Sequence, residues 1–187
     1  LDLGCGTGKS FRTIRKYEPN KYLGIDLDVN NCIKCIQKYC YNINNKNYFF
    51  PANLKEDWNS HENNWYNFDF SIIYDYIICN FSIMHFFVDI FWDQVNKVSR
   101  KGTKMMFNVV NKNALKKMNI GNSYLYLDDQ NVKYYFEHVH TKEMEEKFIS
   151  TDIIDRTLKL YDWKIINEYQ EKSGFESYYT WYIIEKN

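Results

Sequence analysis

The sequence predicts an α/β domain, a mostly parallel sheet of seven strands with helices on both faces. Three observations predict it. Short apolar runs alternate with amphipathic segments along the chain, the pattern of strands joined by helical crossovers. A glycine-rich stretch, Gly4-Cys5-Gly6-Thr7-Gly8, links the first apolar run to the first helical one. An aspartate, Asp26, closes the second run about twenty residues on, the spacing of a nucleoside-binding carboxylate.

The elements follow in order. Residues 1–3 form a short buried strand, and residues 9–17 a helix of about two turns that Pro19-Asn20 breaks. Residues 22–25 are the second strand. Asp28 caps a helix over 29–41 whose face would carry Val29, Ile33, Ile36 and Cys40. Residues 47–50 are the third strand, and the Asn- and Asp-rich stretch 54–67 reads as a surface loop. The fourth strand is 76–79, followed by a helix over 88–99 with Ile90, Phe91, Val95 and Val98 on one face. Arg100-Lys101-Gly102 turns the chain into a fifth strand, 104–110. The segment 111–139 is irregular, with strand-like pieces at 123–127 and 132–136, and is expected to cover the crevice without joining the sheet core. Ser150 or Thr151 caps a helix through 160; strands at 163–166 and 178–184 finish the sheet, the last one antiparallel.

Composition narrows the function. At 187 residues and 45% hydrophobic, with 17 Tyr, 13 Phe and 5 Trp, the chain suits one packed domain and is far too apolar for a disordered one. Lys+Arg and Asp+Glu number 24 each, so no basic field holds nucleic acid at a distance; any RNA must be gripped locally. The richest apolar stretch, 76–92, is interrupted by Asn80, His85 and Asp89, too polar to cross a bilayer. No secretory signal is seen, and five cysteines without framework spacing fit a reducing compartment. Because Leu1 lies directly inside a strand, the chain is expected to be one domain of a longer protein, truncated upstream.

The glycine stretch carries the chemistry. Glycines between a strand and a helix let the backbone approach a ligand and turn amides toward it. A P-loop needs four residues between its first glycine and Gly8-Lys9-Ser10, which would put that glycine at Leu3. A dinucleotide loop wants its third glycine one residue later than Gly8. A plain tight turn is the remaining structural reading. The spacing Gly-x-Gly-x-Gly after Leu1-Asp2-Leu3 resembles motif I of the class I S-adenosylmethionine (SAM)-dependent methyltransferases.

Further stretches sharpen the resemblance. Cys79-Asn80-Phe81-Ser82-Ile83-Met84-His85-Phe86-Phe87 resembles motif IV of messenger-RNA cap guanine-N7 methyltransferases, with Asn80 for the family's Gln, Met84 for its His and His85 for its Tyr. Residues 132–149 look like the segment of the viral, large-DNA-virus branch that carries the guanine-reading acid, aligned here to Glu146 with Glu145 as the alternative. Tyr179-Thr180-Trp181-Tyr182 resembles the family's final strand, whose opening Tyr lies in the cap pocket. Thr7 and Lys9-Ser10 depart from the motif I pattern, and the fifth strand lacks Thr-x-Pro.

The resemblance implies a Rossmann-like class I methyltransferase with SAM as cofactor and S-adenosylhomocysteine as product. It assigns the cofactor to Asp2, Gly4, Cys5, Gly6, Gly8, Asp26, Leu27, Asn53, Asn80 and Phe81, with Asp26 on the ribose hydroxyls and Asn53 on the adenine amino group. It assigns the acceptor to His85, Glu146 and Tyr179. The partner implied is the capped 5′ end of an RNA, GpppN, with triphosphatase or guanylyltransferase domains fused upstream. The location would be cytoplasm, viral factory or virion if viral, and nucleus if cellular. Guanine N7 already holds a lone pair, so no general base is needed and positioning carries the reaction. The alternatives are a class I enzyme for a small molecule or protein, and a non-catalytic subunit of the same fold.

Other signals carry less. Cys32-x-x-Cys35 with Cys40 lacks the second pair a zinc site wants. His138 and His140 have no third ligand, and neither membrane nor metal partner is expected.

Overall fold

The computed structural model describes all residues except 41–45, 60–67, 112–117, 121, 129–130, 136–141 and 172–177. His138, His140, Phe136, Tyr41 and most of the loop 54–67 lie outside the described residues.

The chain runs β1 (Asp2–Leu3), α1 (Lys9–Ile14), β2 (Tyr22–Asp26), α2 (Val29–Tyr39), β3 (Asn47–Pro51), β4 (Tyr76–Cys79), α3 (Asp89–Lys97) and β5 (Lys104–Val110). It continues with β6 (Met118–Ile120), β7 (Ser123–Asp128), β8 (Asn131–Tyr135), β9 (Met144–Lys147), α4 (Thr151–Leu160), β10 (Trp163–Gln170) and β11 (Tyr179–Lys186). The main sheet has seven strands in the order β10-β11-β5-β4-β1-β2-β3, parallel except that β11 runs against both its neighbours. The chain leaves β1 toward β2 and later returns to its other side as β4, so the carboxyl ends of β1 and β4 flank a topological switch point, where such sheets bind ligands.

Strand alternation divides the core into two. On β2, Leu23 and Ile25 point to the larger cluster with Trp58, Phe91, Trp92 and Leu158, while Tyr22 points to a smaller one with Phe11, Cys35 and Phe49. The period of two therefore sets α1 and α2 on one face and α3 and α4 on the other. Local chemistry starts and stops the helices. Asp28 accepts from Asn30 N at 2.8 Å and Ser150 from Ile153 N at 3.4 Å, each satisfying an orphan amide of the first turn. After α1 the chain tightens through a 3-10 turn to a left-handed Glu18 (φ 49°) just before Pro19.

Two expectations are corrected. The buried face of α2 is Cys32 and Cys35, whereas Val29, Ile33 and Ile36 are exposed. The reason is clearance: α2 lies against the glycine loop, where a Cβ on Gly8 would stand 3.0 Å from Cys35 Sγ, and small thiols allow that approach where isoleucines would not. The stretch beyond β5, read as irregular, forms a second, antiparallel sheet in the order β6-β7-β8-β9. Alternating Tyr, Leu and Val supply β7 and β8; Met144-Glu-Glu-Lys has no such preference and becomes a strand through its pairing with β8. This sheet stands apart from the seven-stranded one, with its buried residues Leu125, Val132 and Tyr134 joining the larger core. No helix among the described residues is long and apolar enough to cross a membrane.

Candidate functional site

The glycine loop is held by backbone hydrogen bonds, two of them to β2. Gly4 N and Cys5 N both donate to Ile25 O, at 2.8 and 2.9 Å, and Gly8 N donates to Cys5 O at 3.0 Å. Gly6 N donates to Asp26 Oδ2 at 2.8 Å, so the loop and the strand-end carboxylate are one unit. Three of these glycines differ in role. A Cβ on Gly4 would lie 2.5 Å from Ser82, and one on Gly8 2.7 Å from the Tyr39 ring, but one on Gly6 meets nothing within 4 Å. Gly6 is thus the open face of the loop.

Asp26 is nearly saturated. Its Oδ1 accepts from Asp28 N at 2.9 Å and from Asn31 Nδ2 at 3.3 Å, and its Oδ2 from Gly6 N. Two carboxylate oxygens offer about four lone-pair sites, which leaves one for a further donor. Asn31 makes the longest of the three bonds. Asn31, a helix residue five positions on, was not singled out in the sequence; a polar side chain one turn into a helix after a strand-end acid is the signal that marks it. Leu27 beside it is 70% exposed, an apolar surface next to the carboxylate.

Several assigned cofactor residues sit differently from the expectation. Asp2 is fully buried on the α1–α2 side of β1, where Tyr22 Oη donates to its Oδ2, so it braces the strand. Strand alternation causes this, because Asp2 points away from Leu1 and Leu3. The Cys5 thiol likewise turns into the small core with Phe11 and Cys35. The amides of Gly4 and Cys5 are taken by Ile25 O of β2, and that of Gly8 by Cys5 O within the loop. Asn53 uses its carbonyl to accept from Lys55 N at 3.0 Å and its amide to donate to Glu56 at 2.5 Å, which staples its own turn.

Burial raises the Asp2 carboxyl from 3.8 to about 6, with the Tyr22 hydroxyl opposing part of that rise. The native state therefore keeps this proton to higher pH than the unfolded chain does. Stability is lost as pH rises from about 4 to about 6 and stays low above that. Asp2→Asn should raise stability by about 2–3 kcal/mol at pH 8 and leave it unchanged near pH 3.5. Urea unfolding at the two pH values checks this; an equal change at both would refute it.

The loop after β4 forms the opposite wall. Asn80 Nδ2 donates to Ser10 Oγ at 3.3 Å, joining this loop to the start of α1. Phe81 is left-handed (φ 57°), and its N–H donates to Asn108 Oδ1 at 2.6 Å. The Phe81 ring stands edge-on to Tyr179 and Trp181, with centroids 4.8 and 5.3 Å away.

His85 and Glu146 meet directly: His85 Nδ1 lies 3.0 Å from Glu146 Oε1. Tyr134 Oη is 3.1 Å from the same ring nitrogen and 3.3 Å from Nε2. Register decides between the two glutamates. Glu146 pairs opposite Val132 and shares the inner face of the second sheet, whereas Glu145 is exposed, opposite Lys133, and accepts from Asn131 Nδ2 at 2.6 Å. Tyr179 is almost wholly buried where β11 opens, and burial and the neighbouring Tyr134 raise its phenol well above the usual range. Tyr134 and Asn108, like Asn31, carry no assigned role in the sequence analysis. An amide within the apolar run Met105-Met106-Phe107-Asn108-Val109-Val110 is a visible signal; nothing local marks Tyr134 among so many tyrosines.

All five cysteines are free thiols, and among the described residues no group of three or more His, Cys, Asp or Glu is placed to hold a metal ion.

No protein-family model and no curated protein matches the chain. Solved structures do. A SAM-dependent methyltransferase from Clostridium acetobutylicum superposes with a TM-score of 0.72 at 15% identity, covering 100% of this chain and 83% of that one. The CcbJ methyltransferase from Streptomyces caelestis gives 0.71 at 11%, covering 100% and 82%. The glycopeptide N-methyltransferase MtfA, complexed with SAM, gives 0.65 at 9%, covering 100% and 86%. At these identities the likeness establishes the fold, which is that of the class I methyltransferases.

Proposed function

We propose that this domain transfers a methyl group from SAM, and that the acceptor is guanine N7 of a capped RNA. The observation that carries the first part is the Gly6–Asp26 unit at the switch point: an open glycine face beside a strand-end carboxylate that keeps an accepting site. Leu27 offers an apolar face for the adenine. The SAM complex of MtfA, a protein of like fold, supports the cofactor.

The acceptor reading is supported by His85 and Glu146 lying in contact, with Tyr134 bridging toward the Tyr179 that opens β11. A carboxylate accepts from the N1 and N2 donors of guanine, which adenine lacks, and aromatic faces suit the cationic product. SAM held at the Gly6–Asp26 unit would supply an electrophilic methyl group to the N7 lone pair, with neutral S-adenosylhomocysteine as the leaving group and the positive charge passing to the base. No proton moves. The chain's task is to hold the reacting atoms in line and to place negative charge where the base becomes positive.

A second reading has its own observation. The MtfA match is a glycopeptide N-methyltransferase, which favours a small-molecule or peptide acceptor. Calorimetry with SAM tests the common premise: Asp26→Ala should weaken binding by about 1–3 kcal/mol, the scale of hydrogen bonds to a charged group. Unchanged affinity would remove the cofactor assignment. Radiolabelled methyl transfer to GpppA-capped RNA, set against uncapped RNA and a glycopeptide, decides the acceptor; label only in the glycopeptide would replace the first reading by the second.

A further inference from the structure

Asn108 is not a residue of the cofactor or acceptor sets above, yet it sits between them. It is fully buried in β5, alternating with Phe107 and Val109, which join the larger core, and it pairs in register with Trp181 of β11. Its carbonyl oxygen takes the Phe81 N–H at 2.6 Å, one of the shorter hydrogen bonds in the molecule. Its amide nitrogen is buried without a hydrogen-bond partner among the described residues. A polar side chain in such a place costs stability unless what it holds is worth the cost.

What it holds is a strained residue. Phe81 has φ 57°, a conformation that an aromatic residue adopts only where its surroundings impose it. That single left-handed residue turns the chain so that two neighbours face opposite tasks. Asn80 before it reaches Ser10 on the glycine-loop side. The Phe81 ring reaches Tyr179 and Trp181 on the acceptor side. With Phe81 in the ordinary β or α region, one of these two contacts would be lost.

We propose that Asn108 is a positioning residue for methyl transfer: by accepting the Phe81 amide it locks the left-handed turn that seats Asn80 toward the cofactor and Phe81 toward the acceptor. This rests on the proposed SAM site, and it predicts a specific pattern. Asn108→Leu keeps the side-chain shape but removes the acceptor atom. Asn108→Asp keeps an acceptor oxygen at the same place.

In folded protein, Asn108→Leu should weaken SAM binding about tenfold and raise the KM of the methyl acceptor by a similar factor, and Asn108→Asp should restore both to within about threefold of the parent. A residue that only packs would not be rescued by Asp, whose buried carboxyl fits an apolar site worse than Leu does. Native-state hydrogen exchange supplies a second measurement that needs no variant: the Phe81 amide should exchange at least about a hundredfold more slowly than an open-chain amide. An Asn108→Leu protein that folds and keeps parental SAM affinity, an Asp variant no better than Leu, or an unprotected Phe81 amide would each overturn the proposal. Failure of the SAM reading itself is separate, because it would show as absent binding by the parent protein while the Phe81 amide stayed protected.

Discussion

Glu146→Gln should lower methylation of capped RNA on the order of a hundredfold while leaving SAM affinity within about threefold of the parent. Gln keeps the volume and one carbonyl, so the contact with His85 Nδ1 survives. In the proposed acceptor site the second atom would become a donor facing the donors of the guanine edge, and buried groups that repel each other would cost far more than an absent contact. The proposed SAM site is the Gly6–Asp26 unit on the other wall, so its affinity should not register the change. Glu145→Gln is the internal control, because Glu145 is solvent-exposed beside Asn131 and should leave turnover unchanged. Steady-state kinetics on GpppA-capped RNA with both variants gives the answer. Loss of turnover with Glu145→Gln alone would move the guanine edge to the outer face of the second sheet.

Gly4→Ala should cost about 2–5 kcal/mol of folding stability, a large share of what a domain of this size possesses. Two penalties add. At φ +76° any Cβ is strained, and this one would stand 2.5 Å from both Cβ and Oγ of Ser82. Ser82 cannot step aside cheaply, because its hydroxyl donates to Leu3 O at 2.9 Å and contacts the Cys79 thiol at 3.3 Å. Gly6→Ala is the contrast. Its φ is +52° and its Cβ would meet nothing within 4 Å, so only about 1 kcal/mol of conformational strain is expected. Its effect should appear in SAM affinity, since the added methyl occupies the open face of the loop. Urea unfolding and calorimetry on the two variants separate the roles; equal destabilisation by both would show that the loop's open face had been misassigned.

The seven strands of the main sheet were legible in the sequence because each is a run of local chemistry: alternating or continuous apolar residues bounded by Gly, Pro or Asn, with Asp28 and Ser150 starting helices through their own side chains. Asp26 was legible for the same reason, since its place at a strand end follows from spacing alone. The joining of Asp26 to Gly6 was not, and together with Asp28 N and Asn31 Nδ2 it occupies three of the carboxylate's roughly four lone-pair sites.

Tertiary structure decided wherever the partner lies far along the chain. The face of α2 was misread because hydrophobicity favours Ile33 and Ile36, whereas the face packed toward the glycine loop buries Cys32 and Cys35. Strand β9 exists because β8 is beside it, and that pairing, not residue type, turned Glu146 inward and Glu145 outward. Asp2 is a buried brace because Tyr22, twenty residues on, closes over it. His85 meets Glu146 across 61 residues, and Phe81 meets Asn108 across 27. Local propensity determines which segments become strands and helices, because each residue's backbone preference is its own. Which side chains then face one another depends on sheet order and register, and those arise only when the whole chain buries its apolar faces together.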